Sequence, residues 1–144
     1  MIYRPIIVVA GEPNSIFSEI YFKSINSKRF KSPIILIASH NLIKLQMKKL
    51  NVDKEIRLIR FLDLKFNNLD NKKINLINIP FDQKKAFVKI SNKSNDYIKK
   101  SFDVALKILN KKITNKFING PISKKFFLNK KFLGITEYLA HKTK

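Results

Sequence analysis

Ile6-Ile-Val-Val-Ala10, followed at once by Gly11-Glu12-Pro13, decides the fold of this chain. The run lies within residues 3–10 and has no polar position at which a strand could face water. It therefore reads as a strand covered on both faces, which is the environment of a parallel sheet under helices. Glycine then permits an unusual φ and proline sets the next one, so the strand ends in a turn.

Working outward, the same alternation of strand and helix continues. Asn14 or Ser15 can cap a helix reaching about Ser27, with Ile16, Ile20 and Tyr21 on one side. Pro33-Ile-Ile-Leu-Ile-Ala38 is a second buried strand. Residues 42–50 place Ile43, Met47 and Leu50 at helical spacing. Residues 56–61 alternate apolar side chains with Arg57 and Arg60 and read as a third strand. The polar, Asn-rich stretch 62–73 reads as a loop. Residues 74–79 alternate Ile and Leu with Asn, the pattern of an edge-like strand. No assignment is made for 80–93. Residues 96–110 are the clearest helix, with Ile98, Phe102, Ala105, Leu106 and Leu109 in one stripe. Residues 117–119 form a short strand before Gly120-Pro121. Ser123 can cap a helix to about Asn129, and Thr136 can start another. This order predicts one α/β unit over residues 1–144, with helices layered on a mostly parallel sheet. Ligands bind such sheets beyond the carboxyl ends of the strands. Gly11-Glu12-Pro13 and Gly120-Pro121 both fall there, so the two turns are considered together.

Bulk properties narrow the classes. With 44% hydrophobic residues in 144, the chain can bury a core and is not a disordered segment. It has no cysteine, which removes disulfides and thiolate metal sites and fits a reducing cytoplasm. Its first apolar run is too short for a signal peptide, and none approaches the roughly 18 residues of a membrane helix. A formal charge of +20 points to a nucleic-acid partner. Against that reading, the excess is mostly lysine scattered along the chain and accompanied by Ile, Asn and Phe. All four have A/T-rich codons, so genome composition can cause the bias without selection for a polyanion, and the nucleic-acid reading is discounted. Phe102, Phe117 and Phe132 sit within apolar patterns, as core residues do.

The candidate chemistry is sparse. Three glycines, at 11, 120 and 134, cannot supply a dinucleotide or P-loop glycine motif. Glu12 is either a turn residue or a carboxylate at a cleft edge. Lys124 lies near a helix start, where a cation opposes the macrodipole. It is either a solvated lysine among Lys125, Lys130 and Lys131, or the partner of an anion. Thr136 and Glu137 suit a helix start as cap and first-turn acid. The same hydroxyl and amides can also hold a phosphate or carboxylate. His40 reads as a turn residue and His141 as a surface residue, and two distant histidines do not make a metal site.

Taken together, Ala10-Gly-Glu-Pro-Asn-Ser-Ile-Phe-Ser-Glu19, Gly120-Pro-Ile-Ser-Lys124 and Gly134-Ile-Thr-Glu-Tyr-Leu-Ala140 resemble three motifs of the 4-hydroxythreonine-4-phosphate dehydrogenase family, in the same order. There the first motif is Pro-Gly-Glu-Pro-Ala-Gly-Ile-Gly-Pro-Glu, and the last is Gly-His-Thr-Glu-Phe-Leu-Ala. The resemblance spans essentially the whole chain and matches the N-terminal portion of the family. It implies a three-layer α/β/α subunit like the isocitrate and isopropylmalate dehydrogenases, working as a cytoplasmic homodimer. It also implies NAD-dependent oxidation of a phosphorylated hydroxy amino acid in vitamin B6 biosynthesis. A divalent metal (zinc, magnesium, manganese or cobalt) would assist. Carried over residue by residue, it implies Thr136 as a substrate contact, with Lys124 and Glu12 as cleft residues. Ile135 stands where the family has a substrate-contacting histidine. Ser15 and Phe17 replace two of its glycines. The family's metal-binding histidines and remaining phosphate-binding residues fall beyond Lys144, so the 144 residues alone are expected to be inactive. Two rivals stand beside this reading: a basic nucleic-acid-binding module, and a family member with a changed substrate.

Overall fold

The computed structural model describes residues 2–64 and 69–144. Five strands form one sheet: β1 (Ile6–Val9), β2 (Ile34–Ala38), β3 (Ile56–Leu58), β4 (Ile74–Asn78) and β5 (Lys116–Asn119). Their order is β3-β4-β2-β1-β5, and every ladder is parallel. The helices are α1 (Phe17–Ser27), α2 (His40–Lys49), α3 (Asn95–Asn110) and α4 (Ile135–Lys142). None of them is long and apolar enough to cross a membrane.

The Ile6–Val9 strand is covered on both faces. Ile7 and Val9 join one buried cluster with Ile35, Ile37, Ile98 and Phe102, under α3 and α4. Val8 and Ala10 join a second with Leu36, Phe22, Ile43 and Met47, under α1 and α2. Alternate residues of one strand thus feed two cores, which makes the fold a three-layer α/β/α sandwich. Phe102 packs edge-on against Phe117 at 6.3 Å and Tyr138 at 5.8 Å, and Phe132 against Tyr138 at 5.5 Å. These aromatics are packing residues.

Several expectations change. The strand over 74–79 is interior, between β3 and β2, and β3 is the edge. Its alternating asparagines mimic a solvated face, but Asn75 is fully buried and its amide donates to the carbonyls of Ile34 (3.1 Å) and Asp70 (2.8 Å). Asn78 accepts from the backbone N–H of His40 at 2.9 Å, at the start of α2. On α1 the buried face is Ser18, Tyr21 and Phe22, while Ile16 and Ile20 are exposed. On α3 the buried stripe runs through Ile108, with Leu106 and Leu109 half-buried.

The third strand stops at Leu58 and leads to a 3-10 turn, Phe61–Asp63, which takes the last residue of the expected strand and the first two of the expected loop. Residues 65–68 of that loop lie outside the described residues. Ser123 does cap, accepting from Phe126 N–H at 3.1 Å, but what it caps is a single π-helical turn, Lys124–Leu128, closed by left-handed Asn129. Gly134 rather than Thr136 is the N-cap residue of α4.

Candidate functional site

The two glycine turns meet. Gly11 follows β1 with φ 74°, a left-handed conformation that side chains other than glycine rarely adopt. A Cβ there would lie 2.4 Å from the Pro121 carbonyl oxygen, and one on Gly120 would lie 2.0 Å from the Ala10 carbonyl oxygen. The backbones are joined as well as pressed together: Glu12 N–H donates to Pro121 O and Gly120 N–H donates to Val9 O, each at 2.7 Å. Adjacent parallel strands therefore end in one dovetailed pair of turns at the carboxyl edge of the sheet.

Glu12 turns inward from this joint. Its side chain is 2% exposed; one carboxylate oxygen accepts from Ser94 O–H at 3.0 Å and the other from Asn14 N–H at 3.1 Å. It borders a cavity of about 10 Å³ shared with Ser18, Ser39, Gln46 and Tyr97. Tyr97 accepts from Ser39 N–H at 3.2 Å. Burial pushes the Tyr97 phenol well above its ordinary value, and the nearby Glu12 carboxylate pushes it further the same way. Glu12 thus sits beneath the turn, as an anchor between β1 and the start of α3.

A cover closes over it. The segment after β4, which the sequence left unassigned, is tied down by two amides. Asn14 exchanges hydrogen bonds with Gln83 (3.1 and 2.8 Å) and accepts from Val88 N–H at 3.0 Å. Gln46 donates to the carbonyls of Pro13 (2.8 Å) and Ala86 (3.0 Å). Asn14, Gln46, Gln83 and Ser94 position this end of the sheet, and sequence reasoning missed all four as a group. Their partners lie tens of residues away, so no local pattern marks them.

Lys124 and Thr136 follow β5 in the chain and are exposed, whereas Glu12 is buried. Lys124 opens the π-helical turn, and Thr136 is in the first turn of α4. Neither side chain has a partner among the described residues. Glu137 accepts from Leu133 N–H at 2.6 Å and so satisfies a backbone donor at the entry to α4. Ile135 is half-buried and packs against the α3 and α4 core. His40 begins α2, and the His141 ring packs at a tilt against Phe132, centroids 5.3 Å apart.

Two cofactor classes can be tested against these residues. Among the described residues no three His, Cys, Asp or Glu side chains cluster in a way that could hold a metal ion. The Gly11 turn, pressed against Pro121, leaves no open glycine cradle for a pyrophosphate.

No protein-family model matches the chain, and no curated protein matches it. Solved structures do. A 4-hydroxythreonine-4-phosphate dehydrogenase from Klebsiella pneumoniae superposes with a TM-score of 0.80 at 19% identity, over 96% of this chain and 44% of its own. One from Burkholderia phymatum gives 0.75 at 18% identity, over 96% and 43%. The chain shares the α/β/α fold of these dehydrogenases and spans less than half of their length.

Proposed function

We propose that the chain is the N-terminal part of a dehydrogenase of the 4-hydroxythreonine-4-phosphate type. The reaction would move a hydride from C3 of 4-phosphohydroxy-L-threonine to NAD and release the hydroxyl proton, leaving a ketone. The β-keto acid then loses CO2, on the route to pyridoxal phosphate. The observation that carries the reading is the dovetailed pair of turns. Gly-Glu-Pro after β1 and Gly-Pro after β5 come from motifs far apart in sequence, and the fold presses them together where a parallel sheet takes its ligand.

The roles assigned to this chain's own residues are limited to binding and positioning. Lys124 supplies a cation, and Thr136 a hydroxyl with the free amides of the α4 start, for the anionic groups of the substrate. Glu12 is a positioning residue: through Ser94 and Asn14 it holds the β1 turn against the first residues of α3. A bound metal would polarise the reacting oxygen. Its ligands, and the cofactor pocket, would come from residues beyond this chain or from a second subunit of a homodimer.

Two measurements test this. The purified 144-residue chain, given NAD, the substrate and a divalent metal, should form no NADH, and metal-dependent NADH formation would overturn the division of labour. Calorimetry should show the phosphorylated substrate binding the chain weakly. Thr136→Val and Lys124→Gln should each weaken that binding about five- to tenfold, the loss of one charge-assisted contact. Affinity unchanged from the parent chain in both variants would remove Lys124 and Thr136 from the site.

Ile135 favours a second reading, a related enzyme with a changed substrate. Its side chain belongs to the core rather than to a polar contact. If Ile135→His tightens the binding of 4-phosphohydroxy-L-threonine, the substrate has changed in this chain; if affinity is unmoved, the histidine is not needed here.

A further inference from the structure

Four lysines and an arginine that are scattered in sequence come together in space at the other end of the sheet. A groove of about 650 Å³ opens at the amino ends of β2, β3 and β4. Lys28 and Arg29 reach it from the connection after α1, Lys54 from the approach to β3, and Lys72 and Lys73 from the approach to β4. Among the described residues no carboxylate lines it. Lys73 is paired with Glu55. Asp70 is held by Arg57 and by Lys72 N–H. Lys28, Arg29, Lys54 and Lys72 have no carboxylate partner among the described residues.

The two cation-bearing connections are held in register by one side chain. Asn71 accepts from Ile34 N–H at 2.8 Å and donates to the carbonyls of Phe30 (3.0 Å) and Ser32 (2.8 Å). The floor is apolar, formed by Tyr21, Ile25 and Ile34, and Phe30 stands at the margin 36% exposed.

We propose that this groove binds a nucleotide, with its phosphates against Lys28, Arg29, Lys54 and Lys72 and its base on Phe30. Repelling cations around an apolar floor are stabilised by an anion that also has a flat apolar part. The volume suits one such ligand, since small-molecule sites run from about 300 to 1,000 Å³. The nucleotide is either free or one unit of a single strand, and both present the same phosphate and base. The groove lies at the opposite edge of the sheet from Lys124 and Thr136, so this inference stands or falls independently of the dehydrogenase reading.

The test is titration of the 144-residue chain at low salt with ATP, inorganic pyrophosphate and a ten-nucleotide oligothymidylate. The variants are Lys28→Gln/Arg29→Gln and Phe30→Ala in the groove, with Lys99→Gln/Lys131→Gln as a control on the α3 side. These positions are exposed, and an unchanged thermal midpoint confirms folding. The expected result is ATP binding that falls at least tenfold in the double groove variant and less than twofold in the control, with pyrophosphate weaker than ATP. An oligonucleotide at least tenfold tighter than ATP, with log affinity falling by roughly 0.7 per phosphate contact against log salt, identifies the strand as the source. Comparable affinities identify the free nucleotide. Equal losses in groove and control variants, no binding of any probe, or pyrophosphate matching ATP with Phe30→Ala silent would each overturn the assignment.

Discussion

At the scale of single residues, the chain spends its three glycines unequally. Gly120 has no room for a methyl group, because the carbonyl of Ala10 would be 2.0 Å from it and both partners are backbone. Gly134 has open space around it and an extended backbone that any residue adopts. Gly120→Ala should therefore cost about 3 kcal/mol, the upper range for forcing atoms into packed surroundings. Gly134→Ala should cost less than about 1 kcal/mol, as a change at a helix cap does. Urea unfolding of both variants checks the contrast, and equal costs would mean that the joint between the β1 and β5 turns is soft. The importance of Gly11 and Gly120 was legible in the sequence, since each follows an apolar run. That the two turns lock together was not legible. The clash is between residues at opposite ends of the chain, Gly120 with Ala10 and Gly11 with Pro121, and depends on β5 pairing with β1, which no local pattern encodes. Glu12 shows the same limit. A Gly-Glu-Pro turn is visible, but whether the carboxylate faces out or in depends on Ser94, which the fold delivers.

At the scale of elements, apolar runs were read correctly because period and covering agree. β1 and β2 have no polar residue, so only a strand with helices on both faces suits them. β4 deceived because Asn75 looks like a water-facing position, whereas its amide replaces water with the Ile34 and Asp70 carbonyls. Helix α3 carries a further consequence. Its Tyr97 is 3% exposed and its phenol is held protonated by burial, while the same phenol in the unfolded chain ionises near 10.0. A raised folded pKa gives stability that is present below pH 10 and lost as pH rises above it. Tyr97→Phe removes that liability together with the hydrogen bond from Ser39 N–H. The variant should be about 1 kcal/mol less stable than the parent at pH 8, the worth of one hydrogen bond. The gap should close as pH passes 10, since the parent then loses roughly 1.4 kcal/mol per pH unit from this phenol alone. Lysine titration is common to both proteins and cancels in the comparison. Denaturant midpoints at pH 8, 10 and 11 decide it; a constant gap would show that Tyr97 ionises as easily folded as unfolded.

At the scale of the whole molecule, the charge is the dominant fact. Thirty Lys and Arg face ten Asp and Glu, and the described ion pairs all involve side chains that water still reaches. Exposed pairs contribute little, typically under about 1 kcal/mol each. Repulsion among the remaining cations acts over a screening length near 10 Å at 0.1 M salt, so many of them feel one another in dilute buffer. Folding brings these charges together and unfolding lets them separate, so added salt should stabilise the native state. Thermal unfolding in sodium chloride from about 0.02 to 0.3 M should show a rising Tm, a gain of about 1 kcal/mol corresponding to roughly 3 °C for a chain of this length. Two substitutions locate the effect. Lys72 stands among like charges in the groove, so Lys72→Gln should raise Tm at low salt and lose that advantage at high salt. Lys142 is instead hydrogen-bonded to Asp103 at 3.0 Å, which raises the lysine pKa, so Lys142→Gln should lower Tm at low salt. A Tm that falls with salt would mean that the ion pairs outweigh the repulsion. If Lys72→Gln and Lys142→Gln moved it in the same direction, the charges would act as a uniform cloud, and the groove would hold no special concentration of them.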